Sequence, residues 1–181
     1  MQAGLTVAIR PARSEDASGI GAVHVAVWRS AYPGILLDRT LTGMSIPQQS
    51  AYYRSMIQRD GGVFVAVTGD AEQVIGFTSV GRQRRSTLGE GEIHTLYVLD
   101  DWREAGIGRR LMQAGAFWLA ARECRSAFLW VLSDNPSRWF YQRMGGRAAA
   151  TGYTQVGGKT VPQTAYVWDP IEILLAAGHA S

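Results

Sequence analysis

Between Gly91 and Leu111 the sequence changes period, and that change restricts the fold more than any other feature. Glu92 to Val98 is rich in β-branched and aromatic residues and reads as a strand. From Ala105 onward Ile107, Leu111, Gly115 and Trp118–Leu119 recur at helical spacing. The junction reads Arg103-x-x-Gly106-x-Gly108, so two residues without a Cβ stand where the helix begins. The first turn of a helix carries unpaired backbone N–H groups at the positive end of its dipole, and it suits a phosphate. Glycines let a diphosphate approach that backbone, and Arg103, Arg109 and Arg110 add positive charge.

Two other phosphate loops do not fit. A P-loop needs Gly-x-x-x-x-Gly-Lys followed by Ser or Thr, and the chain has no such run. A dinucleotide fingerprint needs a third glycine, and Leu111 stands in its place after Gly106 and Gly108.

The remaining chain reads as alternating elements without repeats or an interdomain linker. Thr6 to Arg10 is a strand ending at Pro11, and Ser14 is an N-cap for a helix that reaches Ser30 or Tyr32, before Pro33-Gly34. A second helix runs from about Ser45 to Arg59 and stops at Gly61-Gly62. Val63–Thr68 and Val74–Val80 form a hairpin about Gly69–Gln73. After the central strand and its helix, which extends to about Arg122, Ala127–Leu132 is wholly apolar and reads as a strand buried on both faces. Asn135 caps a helix with Pro136 at its first position, which runs to Met144 before Gly145-Gly146. Strands at about Arg147–Val156 and Thr160–Trp168 flank Gly157-Gly158, and a short apolar helix begins near Ile171.

The segment Asn135-Pro136-Ser137-Arg138-Trp139-Phe140-Tyr141 follows the buried strand. Together with Arg103-x-x-Gly106-x-Gly108 and the order β-α-α-β-β-β-α-β-α-β-β, it resembles the GNAT superfamily of acyl-CoA N-acetyltransferases over nearly the whole chain. The resemblance implies an α/β (α+β) fold, with a mixed central sheet of six to seven strands flanked by four or five helices, as one domain over residues 1–181. It implies that backbone groups of Leu96, Tyr97 and Val98 pair with the pantetheine arm of acetyl-CoA. The diphosphate would then lie over Arg103, Glu104, Ala105, Gly106, Ile107, Gly108 and Arg109, with Asn135 contacting the coenzyme and Tyr141 facing the thioester sulfur. Asp100 stands where the family commonly has proline, and Glu104 where it often has glycine.

Chemistry assigns further roles. An amine of pKa about 10.4 is neutral in only about one molecule in 2,500 at pH 7, so a base must take its proton. The departing thiolate, with a cysteine-like pKa of about 8.5, is helped by a donor, for which Tyr141 is the candidate. Glu92 matches the carboxylate that many family members use as base. Strict alternation sets Glu92, His94 and Leu96 on one face, which makes His94 a second candidate base, and a β-bulge would alter that register. A water relay is the third route. On the first helix His24, Trp28 and Tyr32 share one face, and Trp28 and Tyr32 are candidate acceptor-site residues. The Trp28-Arg29-x-x-Tyr32 pattern is similar to that of many bacterial acetyltransferases, and small amines, amino acids, antibiotics and protein N-termini all stay open as acceptors.

Composition narrows the partners. The 181 residues are 46% hydrophobic and 18% charged, as in an ordinary globular domain. Of 18 basic residues 17 are Arg, and they are scattered except for Arg82, Arg84 and Arg85, so nucleic acid is not an expected partner. No apolar run approaches the roughly 18 residues of a membrane span, and the cytoplasm is the default expectation. The single cysteine, Cys124, supports neither an internal disulfide nor a metal site. Acetyl-CoA and an amine are the expected partners, without a metal, and a homodimer is compatible. A non-catalytic acyl-CoA sensor or subunit is the alternative function.

Overall fold

The computed structural model describes residues 5–59 and 61–177. Its strands are β1 (Val7–Pro11), β2 (Val63–Thr68), β3 (Gln73–Arg82), β4 (Gly91–Val98), β5 (Ala127–Leu132), β6 (Arg147–Val156) and β7 (Lys159–Trp168). They form one sheet in the order β1-β2-β3-β4-β5-β7-β6. Every neighbouring pair is antiparallel except β4 and β5, which run parallel. This is the mixed α/β sheet expected from the sequence.

Six helices are described: α1 (Ala17–Ala31), α2 (Asp38–Thr42), α3 (Ile46–Arg59), α4 (Ile107–Ala120), α5 (Arg138–Arg143) and α6 (Glu172–Ala176). The reading of four or five helices missed α2, whose five residues are too few to show a helical period. Ser14 does not cap α1. A 3-10 turn over Ser14–Asp16 comes first, and Asp16 closes it by accepting the Arg13 N–H at 2.7 Å while pairing with Arg10 at 2.7 Å.

α1 and α3 cover one face of the sheet, where Ile20, Val23, Val27 and Tyr53 pack on Val63, Val65 and Phe77. α4 covers the other, with Met112, Ala116 and Leu119 against Val80, Ile93, Ala127 and Leu129. Tyr141 of α5 and Leu174 of α6 join that second core. Burying a Leu or Phe side chain contributes about 1.5–3 kcal/mol, so these two interfaces hold the helices on the sheet.

Two irregularities in β4 create space. First, β4 and β5 pair only at Gly91↔Ala127 and Glu92↔Phe128, and then part. Pairing with β3 continues to Gly76↔Val98, so beyond Glu92 one edge of β4 has no strand partner among the described residues. Second, Val80 pairs with Ile93 and Ser79 with Thr95, which leaves His94 as the extra residue of a β-bulge.

Candidate active site

The parted strands open a cleft that α4 closes at one end. Leu96, Tyr97 and Val98 line it from the free edge of β4. Arg103, Glu104, Gly106, Ile107, Gly108 and Arg109 line it from the loop and the start of α4, and Asn135 from beside α5. Of the residues expected to hold a coenzyme, Ala105 alone is outside the lining; it is exposed on the loop. Phe140, Ser137, Arg143 and Trp102 also line the cleft. Of these, Phe140 and Ser137 were legible as members of the Asn135–Tyr141 segment, whereas Arg143 and Trp102 had no sequence signal of their own.

The loop backbone explains its composition. Gly106 has φ 73°, the left-handed conformation in which a Cβ is costly, and it forms the N-cap of α4. Glu104 adopts φ 65° as well, a conformation that costs a non-glycine residue about 1–2 kcal/mol. Asp100 is not a bare negative charge beside the cleft: it pairs with Arg103 at 2.8 Å and accepts a hydrogen bond from the Ser30 hydroxyl. Arg110 does not join Arg103 and Arg109 at the cleft, because its guanidinium donates to the Val7 carbonyl at 3.0 Å.

A second cleft lies on the other side of the parting. Trp28 and Tyr32 of α1, His94 and Thr95 of β4, and Trp130 of β5 line it, with Thr154, Val156 and Gln163 from the last hairpin. The two clefts share Tyr32, Leu96, Tyr97, Asn135 and Tyr141. The clefts therefore adjoin, and Tyr141 lies on their common wall.

Tyr141 is buried among aromatic rings, with Phe140, Tyr166 and Trp168 within 5.5–6.4 Å between ring centroids. Burial, and then the neighbouring Tyr32, push its phenol well above the usual value, so it carries its proton throughout the physiological range. Asn135 is buried too. Its Oδ1 accepts the Ser137 N–H at 2.9 Å, while its Nδ2 donates to the Tyr32 hydroxyl at 3.1 Å. Pro136 and Ser137 form a turn rather than the first helical residues, so α5 begins two residues later than its sequence implies.

The bulge corrects one expected alignment. Leu96 packs with Ile107 and Leu111 on the α4 face, whereas Glu92 and His94 remain together, with Oε2 to Nδ1 at 3.6 Å. An extra residue between Ile93 and Thr95 reverses the alternation beyond it. His94 lines the second cleft and Glu92 stands beside it, held by Gln83, whose Nε2 donates to the same Oε2 at 2.7 Å. Gly81 makes room for the imidazole, since a Cβ there would come within 2.9 Å of Nε2. Neither Gln83 nor Gly81 had a sequence signal, because the sequence places both in the loop from Gly81 to Gly91, whereas β3 runs on to Arg82.

His24, the third residue of the aromatic stripe, belongs to the core. Its Nδ1 is 2.8 Å from the Tyr53 hydroxyl, and burial lowers its pKa to about 4, so it is a neutral packing element. Cys124 is buried in the α4 core and lines neither cleft. No helix of the described residues is long and apolar enough to cross a membrane.

Comparisons with known proteins agree with this architecture. Residues 28–146 match the model of the acetyltransferase (GNAT) family. The chain is 31% identical over 169 residues to the uncharacterized N-acetyltransferase YuaI of Bacillus subtilis, spanning 93% of this chain and 96% of that protein. It is 26% identical to the probable N-acetyltransferase Rv2775 of Mycobacterium tuberculosis, over 88% and 92% of the two chains. Among solved structures, the PaiA N-acetyltransferase of Thermoplasma acidophilum in complex with coenzyme A superposes with a TM-score of 0.66 at 17% identity, covering 87% of this chain and 98% of that one.

Proposed function

Because the chain belongs to the GNAT acetyltransferase family and is an acyltransferase, we propose that it moves the acetyl group of acetyl-CoA to a primary amine in a direct ternary complex. The observation that carries this reading is the meeting of the two clefts at Tyr141. One cleft offers what a coenzyme needs: a helix N-terminus with a left-handed glycine, and an unpaired strand edge. The other offers an acceptor chamber with a base at its wall. The reading also treats residues 1–181 as one domain, since strands from Val7 to Trp168 share one sheet; residues 1–4 and 178–181 lie outside the described ones.

Bound there, acetyl-CoA would supply a thioester carbonyl and a thiolate leaving group. Backbone groups of Leu96, Tyr97 and Val98 hold the pantetheine arm, the first turn of α4 and Arg109 hold the diphosphate, and Asn135 fixes the bend between them. His94 takes the proton of the attacking amine, and Glu92, oriented by Gln83, stabilises the imidazolium that results. Tyr141 gives its proton to the sulfur as the C–S bond breaks and the N–C bond forms. Trp28 and Tyr32 wall the acceptor. Release of free thiol from acetyl-CoA across a panel of amines tests the proposal. Tight acetyl-CoA binding with no release on any amine would favour the coenzyme-sensing alternative.

The base is tested by pH. His94→Gln is expected to lower the rate about a hundredfold near pH 7, with the defect shrinking towards the amine pKa of about 10.4, where neutral substrate supplies itself. Glu92→Gln should give a smaller defect of the same sign. A pH–rate profile of wild type and both variants decides the matter, since three parallel curves would assign the proton to ordered water.

Glu104→Gly is expected to improve coenzyme binding. It removes an exposed negative charge from the cleft wall and relieves the left-handed strain at φ 65°. A unit charge about 4 Å from another in water is worth about 1 kcal/mol, or a factor of about five in affinity at low salt. Titration calorimetry at two ionic strengths checks the charge, whose contribution must fade at high salt. A thermal melt checks the strain, which is common to free and bound protein and so adds to stability rather than to affinity.

A further inference from the structure

The acceptor chamber has two properties that narrow the amine, and this step rests on the transferase reading above. No Asp, Glu, Lys or Arg lines it among the described residues; His94 is its one ionisable group other than tyrosines. Its outer walls also touch each other. Tyr32, Leu36 and Leu41, from the end of α1 to α2, form a single cluster with Val161 of β7. Lys159 Nζ, at the tip of the same hairpin, donates to the Ile35 carbonyl at 2.6 Å, and Gly157 leaves no room for a Cβ beside Thr40. The hairpin and the α1–α2 segment thus meet beside the chamber and narrow the room on that side for an extended peptide.

We propose that the acceptor is a small primary amine with an uncharged alkyl or aryl body, rather than a polyamine, an amino acid or a protein N-terminus. An alkyl body gains by leaving water against Trp28, Trp130 and Val156. A second ammonium or a carboxylate on the acceptor would lose its hydration with no opposite charge on the lining to receive it, since Glu92, the carboxylate behind His94, is already engaged by Gln83 and His94. Cation–π contact at Trp28 is limited, because its ring stacks on His24 at 5.3 Å and meets Tyr32 edge-on at 4.9 Å, and contact with Trp130 is worth less than the lost hydration of a full charge. Gln163, Thr154 and Thr95 supply polar lining without charge.

Three acceptors of one chain length test this: hexylamine, 1,6-diaminohexane and 6-aminohexanoate, with a short peptide as a fourth. Thiol release is measured for each, and each is titrated by calorimetry into protein saturated with coenzyme A. Hexylamine is expected to exceed both charged analogues about tenfold or more in kcat/KM and in affinity, with the peptide weaker still. Gln163→Glu, which places a carboxylate on the wall, should shift the preference towards the diamine by a similar factor. Equal or better use of the diamine, the aminohexanoate or the peptide by wild type overturns the inference and leaves the transferase assignment standing. Acetyl-CoA binding without reaction or binding of hexylamine also overturns it. Failure of acetyl-CoA itself to bind, measured separately, would instead overturn the reading on which it rests.

Discussion

Gly108→Asp is expected to weaken acetyl-CoA binding by about 100-fold or more while leaving the protein folded. Gly108 is the second residue of α4, and a Cβ there would meet Phe140 Cζ only at 3.4 Å, a contact the ring accommodates with little shift. A carboxylate in a first helical turn is itself favourable, by about 0.3–1 kcal/mol, because it opposes the helix dipole. The fold therefore tolerates the side chain, and the ligand does not. The carboxylate would occupy the place of the diphosphate and repel what remained of it; two unit charges 4 Å apart at a protein surface oppose each other by about 4 kcal/mol. Each 1.4 kcal/mol is tenfold in affinity, so steric block and repulsion together reach the stated loss. Titration calorimetry beside a thermal melt reads both halves. Unchanged affinity in a folded variant would remove the diphosphate from the start of α4.

Tyr141→Phe is expected to lower kcat about 10²–10⁴-fold with coenzyme affinity nearly intact, the range typical of a positioned proton donor. The ring lies between Phe140, Tyr166 and Trp168, and phenylalanine keeps that packing. What disappears is one O–H at the junction of the two clefts. Burial keeps that phenol protonated, so its proton is present when the thiolate departs and the group cannot serve as the base at neutral pH. Single-turnover rates and coenzyme titrations on the same preparation separate chemistry from binding. Full activity would mean that the thiolate leaves unaided or takes its proton from water.

The two variants probe features of different legibility. The helix start at Gly106 and Gly108 was visible in the sequence because it is local chemistry: the left-handed φ of Gly106 and the free N–H groups of α4 depend on residues within one turn. The same holds for Asn135, whose side chain folds back on the Ser137 N–H two residues away. Strand and helix periods carried most of the remaining architecture for the same reason, and α2 escaped because five residues do not complete a period that a pattern can reveal.

What the sequence determined by itself was therefore all the strands, every helix but α2, their order, and a glycine-opened helix terminus. What only the tertiary structure decided depends on partners far apart in the chain. The bulge at His94 exists in the register between β4 and β3, so its presence could not be read from β4 alone, and it moves Leu96 away from Glu92 and His94. Asn135 meets Tyr32 across 103 positions, on the wall that the two clefts share. The second cleft takes its surface from α1, β4, β5 and the last hairpin, and its freedom from charged lining residues among the described ones is a property of where those segments converge. Local sequence sets backbone conformation through sterics and hydrogen bonds a few residues long, whereas register and cavity shape arise from contacts that form only when distant segments pack.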